Sequence, residues 1–319
     1  MKSSTLDYMD CIPQVSYAKI SYEKDFRIAF LESKGDEFQR LFEKLMKKVY
    51  PNDFIPCRPW GKDGDCKNDG YLRSQRKLFQ VYAPNEIKKE EAIRKINEDF
   101  VGAKNHWEEY FDKWVFVHNA QDGRLGPHII RELNKLRKEN SDIEIEIWGY
   151  EELLAIFRQL SLQDLVSWFG PPLTMEADLH LGYQDLAAVL EHIAVMPGVA
   201  PSDVRDVSRR KIEANLLSDI VADFLKVGMR KAPLVEDFFE KYPNPVYGEQ
   251  IAAAFKRKYE ELKVRSPRLH PDLIFGEIEK WAGGTKDSSP THKAAVLAII
   301  AYLFDRCEIF EDAQAVKAV

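Results

Sequence analysis

Three oxygen-bearing side chains stand out by type and order. Glu37 opens an amphipathic helix. Asp69 lies in Asn68-Asp69-Gly70 at the entry to a strand, and Gln80 interrupts the apolar strand Leu78-Phe79-Gln80-Val81-Tyr82. Carboxylate and amide oxygens are the donors that a hard divalent cation such as Mg²⁺ or Mn²⁺ takes in preference to imidazole or thiolate. Oxygens on two consecutive strands can converge on one such ion. Each residue also has a plainer reading. Asp69 before Gly70 is a common hairpin-turn pair, and Glu37 in a first helical turn complements the helix dipole. Gln80 is harder to explain away, because a buried amide must find partners, although a core hydrogen bond would satisfy it.

Cationic side chains surround this set in sequence: Lys67, Arg73, Arg76, Lys77, Lys88 and Lys89. Any of them could neutralise charge or contact phosphates, and a solvated turn accounts for Arg73, Arg76 and Lys77 equally well. An EF-hand loop does not fit, since Lys67 takes a ligand position and the twelfth position is Ser74 or Arg76 rather than Glu. A phosphate-cradling glycine loop fails too, because Gly70 is followed by Tyr71-Leu72. The histidines are scattered, with His118 at a strand end read as core or rim. The cysteines at 11, 57, 66 and 307 form no CxxC pair and read as free thiols of a reducing cytoplasm.

The elements that must position the oxygens follow from periodicity. Phe38, Leu41, Phe42, Leu45, Met46 and Val49 make one helical stripe ended by Pro51. A strand over 54–59 precedes the glycine-rich loop, and a charged helix over 86–100 follows it. Trp114 to His118 reads as a buried strand, 127–139 as a helix, Ile143 to Ile147 as an edge strand and 150–160 as a helix. Phe26 to Phe30 alternates as a short strand would, and the preceding 25 residues read as an irregular arm. Strand-helix alternation argues an α/β layer with helices on a mixed sheet. Gly170-Pro171-Pro172 ends that pattern, and only helices follow: 182–195, 203–227, 232–241, 246–262, 271–282 and 290–307. The expected division is an arm at 1–25, an α/β domain at 26–172 and an all-α domain at 176–319.

Composition sets outer limits. Net charge is −6 over 319 residues, so bulk positive charge is not how this chain would hold nucleic acid. A local basic patch or a partner would have to present it. The longest apolar run, Ala294 to Phe304, has 11 residues, against the ~20 needed to span a bilayer. No secretory h-region is seen in Met1 to Asp10. The expectation is a cytoplasmic protein with no membrane contact.

The helix carboxylate, strand-start Asp and strand Gln, in that order, resemble the PD-(D/E)XK nuclease superfamily. The resemblance implies a restriction-endonuclease-like mixed sheet flanked by helices, and Mg²⁺ or Mn²⁺ held by Glu37, Asp69 and Gln80. It implies cleavage of double-stranded DNA. The family carries a water-orienting Lys two residues after the strand Gln, where this chain has Tyr82. Tyr82 therefore enters the candidate catalytic set beside Lys67, while Lys77, Lys88 and Lys89 are further places for a migrated lysine. Arg73, Arg76, Lys77, Lys88 and Lys89 are the implied DNA contacts. In the helical half, Lys211 to Ser218 and Cys307 to Glu311 resemble the C-terminal domains of effectors in bacterial ABC-three-component defence systems, which are similar to Lamassu. That resemblance implies an SMC-type ATPase and a small middle subunit as partners, with self-association through the helices as another possibility. Together they imply an endonuclease effector of an antiphage or anti-plasmid complex. Tyr82 keeps an alternative open: an inactive nuclease fold that senses DNA or serves as an assembly subunit.

Overall fold

The computed structural model describes residues 14–57, 68–120, 123–194, 211, 215–265, 269–306 and 309–310. Chain contacts divide it into two units: Ala29–Asp164, and Met1–Ile28 with Leu165–Val319.

The first unit is built on a five-stranded sheet in the order β1 (Phe54–Pro56), β2 (Gly70–Leu72), β3 (Lys77–Tyr82), β4 (Lys113–His118), β5 (Glu144–Trp148). β1 to β3 run antiparallel to their neighbours, while β3, β4 and β5 are parallel. Connectivity explains the change of sense. A single 3₁₀ turn, Arg73–Gln75, is enough to reverse β2 into β3. Parallel neighbours need a crossover, supplied here by helices Lys89–Trp107 (α3) and Pro127–Glu139 (α4). Alternation along β3 sends Leu78, Gln80 and Tyr82 to one face, and Lys77, Phe79 and Val81 to the other. Leu78 joins Trp114, Phe116 and Ile145 in a core with Ile96 and Phe100 of α3 and Leu133 of α4. On the opposite face, Phe42 of helix Asp36–Val49 (α2) packs on Phe54 and Phe79, with ring centroids 5.8 and 5.3 Å apart. Helix Tyr150–Phe157 (α5) lies on α2's side, where Tyr150 meets Phe30.

The second unit is helical. Helix Pro290–Asp305 (here α13) is buried on all sides from Ala294 to Ala301, as its unbroken apolar run requires. Around it stand α8 (Tyr183–Ala194), α9 (Asp219–Met229), α10 (Ala232–Lys241), α11 (Tyr247–Lys263) and α12 (Pro271–Trp281). Two short helices, α6 (Leu162–Phe169, which crosses the division) and α7 (Met175–Leu179), precede them. A mixed α/β sheet followed by helices thus agrees with the expected order of classes.

Three expectations need correction. Residues 14–32 form one helix, α1 (Gln14–Glu32), so Phe26 to Phe30 is not a strand and the arm is helical from Gln14. Tyr22, Phe26 and Phe30 lie at i, i+4 spacing and are buried, but so are Ser21, Glu23, Lys24 and Arg27. Buried charge on the same helix erases the apolar stripe that would have marked it. The helix expected over 203–227 is interrupted: Leu216 has φ 53° and is exposed, and Ser218 caps a new start at Asp219. Ile212, in the expected stripe, lies outside the described residues. Finally, α3 begins at Lys89 and ends at Trp107, against the expected 86–100.

The buried charges of α1 are paired within the helical unit. Lys24 Nζ donates to Glu279 at 2.6 Å and lies 2.8 Å from Asp25, and Arg27 Nε lies 3.1 Å from Asp272. Burial alone would push the Lys24 pKa down, but Asp25 and Glu279 outweigh it and hold the ammonium. Removing one partner strands the other. Lys24→Met should therefore cost about 3–5 kcal/mol in denaturant unfolding, and adding Glu279→Leu should recover most of that loss. A double variant as unstable as Lys24→Met would show that the pair is not the source of the loss.

Candidate functional site

Asp69 closes the β2–β3 hairpin with its side chain. Its N–H donates to Phe79 O at 2.9 Å, and its Oδ2 accepts from Val81 N–H at 2.7 Å. The carboxylate thus stands where a strand carbonyl would, beside Gln80. Asn68 braces the approach: its Oδ1 accepts from Gly70 N–H at 2.8 Å and its Nδ2 lies 3.3 Å from Cys57 Sγ. Gly70 is not a turn residue. It begins β2, and a Cβ there would fall 2.4 Å from Cζ of Phe54. The glycine after Asp69 is dictated by an aromatic ring lying on the backbone.

Gln80 is 3% exposed, in register with Phe116 of β4 and on the face shared with Leu78 and Trp114. Its Oε1 has no hydrogen-bond partner among the described residues. A buried carbonyl oxygen left unpaired costs about 1–3 kcal/mol, so this apolar strand carries an oxygen that a cation or a donor would stabilise. Tyr82, on the same face, is half-buried and stacks on Phe116 at 5.8 Å. Burial, and then the negative charge of Glu91, push its hydroxyl pKa up, with Arg94 opposing them. Tyr82 is therefore a neutral hydrogen-bonding group and not a base. His118, in register with Tyr82, is buried, and desolvation lowers its pKa to about 4. It is a neutral imidazole at ordinary pH, with Nδ1 accepting from Ala120 N–H at 3.2 Å.

Glu37 is exposed in the first turn of α2, the helix covering the face opposite Gln80. It belongs to the same end of the sheet, since Gly35 N–H donates to Ala83 O just beyond β3. Lys67 lies outside the described residues. Lys77 starts β3 on the α2 face, 2.9 Å from Glu146 and 5.0 Å from the Trp148 ring. Arg73 and Arg76 belong to the 3₁₀ turn at that same starting end, with Arg76 held 2.7 Å from Asp112 and 2.8 Å from Glu109 O. Lys88 and Lys89 are exposed at the entry to α3, beyond the end of β3 that carries Tyr82. Among the described residues, no three His, Cys, Asp or Glu side chains gather as a metal cluster. Asn119, whose Nδ2 donates to Ser33 O at 3.1 Å, and Lys34 also belong to this end. Lys34 carries no sequence signal, because the turn between α1 and α2 that brings it there is invisible until α1 is known to be a helix.

The helical unit explains why its two distinctive sequence stretches go together. Lys211 Nζ donates to Phe304 O and Ile309 O, both at 2.6 Å, and lies 4.5 Å from the Phe304 ring centroid. The ammonium thus caps the Phe304 carbonyl in the last turn of α13, as the helix-end dipole favours, and ties it to Ile309 beyond the helix. Asn215 and Ser218 complete the arrangement, with Ser218 N–H donating to Asp272 at 3.0 Å. Residues 184–311 match the family model of C-terminal domain 10 of the ABC-three component systems. The match lies within the helical unit. It spans both the Lys211 stretch and Ile309, so the helical half is similar to that domain. No curated protein and no solved structure matches the chain.

The neutral His118 has a consequence for stability. An unfolded imidazole takes up its proton near pH 6.5, while the folded one waits until about 4. Between these values the unfolded state binds more protons, so stability should fall as pH drops from about 6.5 to about 4. The full loss is up to about 3 kcal/mol. Thermal unfolding of wild type against His118→Gln across that range checks it. Equal slopes for the two proteins would mean that His118 does not titrate as described.

Proposed function

We propose that the sheet unit is a metal-dependent DNA endonuclease, and that the chain is an effector subunit of an ABC-three-component defence assembly. The Oε1 of Gln80, unpartnered among the described residues and beside the Asp69-clamped hairpin, carries this reading. The order α2, β2, β3 is also the one in which the resemblance sets the helix carboxylate, the strand-start Asp and the strand Gln. Asp69 and Gln80 would hold Mg²⁺ or Mn²⁺, with Glu37 joining from the α2 entry. Oxygen donors suit such an ion. A bound cation of this kind supplies positive charge and lowers the pKa of water. Tyr82, kept protonated, would donate to a phosphate oxygen. Lys88 and Lys89 are exposed beyond Tyr82 and would meet flanking phosphates, whereas Arg73, Arg76 and Lys77 sit at the opposite end of β3.

The helical unit supports the assembly half of the reading through its similarity to C-terminal domain 10. An SMC-type ATPase and a small middle subunit would be its partners, with the helices as the contact. Tyr82 and the absence of a three-carboxylate cluster among the described residues favour a second reading, a DNA sensor without catalysis.

Incubating the full-length protein, alone and with its partner subunits, with plasmid DNA tests the proposal. Nicking should appear with Mg²⁺ or Mn²⁺ and vanish in EDTA. Asp69→Asn, which keeps an acceptor for Val81 N–H, and Gln80→Ala should each lose on the order of 10²-fold or more. Neither change should affect co-purification of the partners. DNA left intact under both metals by a folded, assembled wild type would decide for the sensor.

A further inference from the structure

Between α1 and α2 the chain turns through Ser33, Lys34 and Gly35. Ser33 O accepts from Asn119 Nδ2 at 3.1 Å, and Gly35 N–H donates to Ala83 O at 2.6 Å. Ala83 and Asn119 are the first residues beyond β3 and β4. The turn is therefore pinned at both sides of Lys34 to the carboxyl ends of two neighbouring parallel strands, the ends near which Gln80 and Tyr82 lie. Ligands of open α/β sheets collect at such ends.

Lys34 itself is unusual among the half-buried lysines of this unit. Lys48, Lys77, Lys95, Lys104 and Lys113 are each within ion-pair distance of a carboxylate. Lys34 is half-buried, and among the described residues no carboxylate meets it. Burial pushes its pKa down, with no acidic group offsetting the effect. A cation held without a counter-ion, in surroundings that disfavour its charge, gains most from an anion brought in from outside. The neighbouring oxygen donors Asp69 and Gln80 cannot supply positive charge, and neither can Tyr82. A phosphodiester held there would need that charge as its reacting oxygens become more negative.

We propose that Lys34 is a catalytic residue whose Nζ contacts the scissile phosphodiester, stabilising its non-bridging oxygens without forming a bond to them. The inference rests on the reading of the sheet unit as a DNA phosphodiesterase, and it assigns the positive charge that β3 lacks.

Two readouts on the full-length protein separate the inference from that reading. The first is acetylation of Lys34 by acetic anhydride, followed by mass spectrometry, with and without a short DNA duplex in Mg²⁺ and in EDTA. DNA should slow the labelling of Lys34 severalfold and leave Lys77, sealed against Glu146, unchanged. The second is plasmid cleavage. Lys34→Met should lose on the order of 10²-fold, and Lys34→Arg should retain most activity. Wild-type cleavage with Lys34 equally labelled in both conditions, or with Lys34→Met fully active, would overturn the inference and leave the reading standing. Protection of Lys34 by DNA that is never cut would instead sink hydrolysis and keep the phosphate contact.

Discussion

The hydrogen bond from Val81 N–H to the carboxylate of Asp69 is the constraint on which the candidate site depends. A strand pairs through backbone carbonyls, and here a side chain takes that role at the entry to β2. Asp69 is thereby fixed against β3 at the residue adjoining Gln80. The bond also makes the neighbouring glycine obligatory, because holding Asp69 and Gly70 in this course brings Gly70 under the Phe54 ring. Phe54 in turn packs with Phe42 and Phe79, which seats α2 on the sheet. One carboxylate thus links the hairpin, the aromatic core of one face and the amide on the other.

The position of Gln80 has a cost. Gln80 places an oxygen on the face of Leu78, Trp114 and Phe116 with no partner among the described residues, where an apolar side chain would leave no polar atom unpaired. Unpaired polar atoms of this kind are rare in native cores and call for an explanation. The Lys34 amine and the neutral His118 gather at the same end of the sheet, each with its charge opposed by burial. Polar groups concentrated at the carboxyl ends of parallel strands are what a binding site needs, and packing alone gives no reason for them.

Much of this was legible in the residues themselves. Asp69 and Gln80 declared themselves, one through Asn68-Asp69-Gly70 and the other as an amide in an apolar strand. Helices α4 and α10 fell at their expected bounds because Pro127 and the stripes of both helices are unambiguous. What remained hidden was hidden by charge and by local geometry. α1 buries Lys24 and Arg27 through partners some 250 residues away, so its pattern reads as polar. Without α1 as a helix, neither the turn carrying Lys34 nor its attachment to β3 and β4 can be inferred. The break before α9 depends on a left-handed Leu216, which no stripe of apolar residues reveals. The likeness of the helical half to a defence-system domain had a physical basis too, since the two stretches that carried it meet at the Lys211 ammonium.

Whether Gln80 is a cation ligand is the central question, and Mn²⁺ binding to the full-length protein answers it most directly. Titration followed by the electron paramagnetic resonance of the free ion would compare wild type with Gln80→Leu. Gln80→Leu should weaken Mn²⁺ binding by about tenfold or more, on the scale of losing a ligand-supporting group. The metal-free variant should be more stable than wild type by about 1 kcal/mol, since an unpaired buried oxygen is gone. Undiminished Mn²⁺ binding by Gln80→Leu, with stability lowered, would contradict both expectations: Gln80 would then be a structural amide and the site would lie elsewhere.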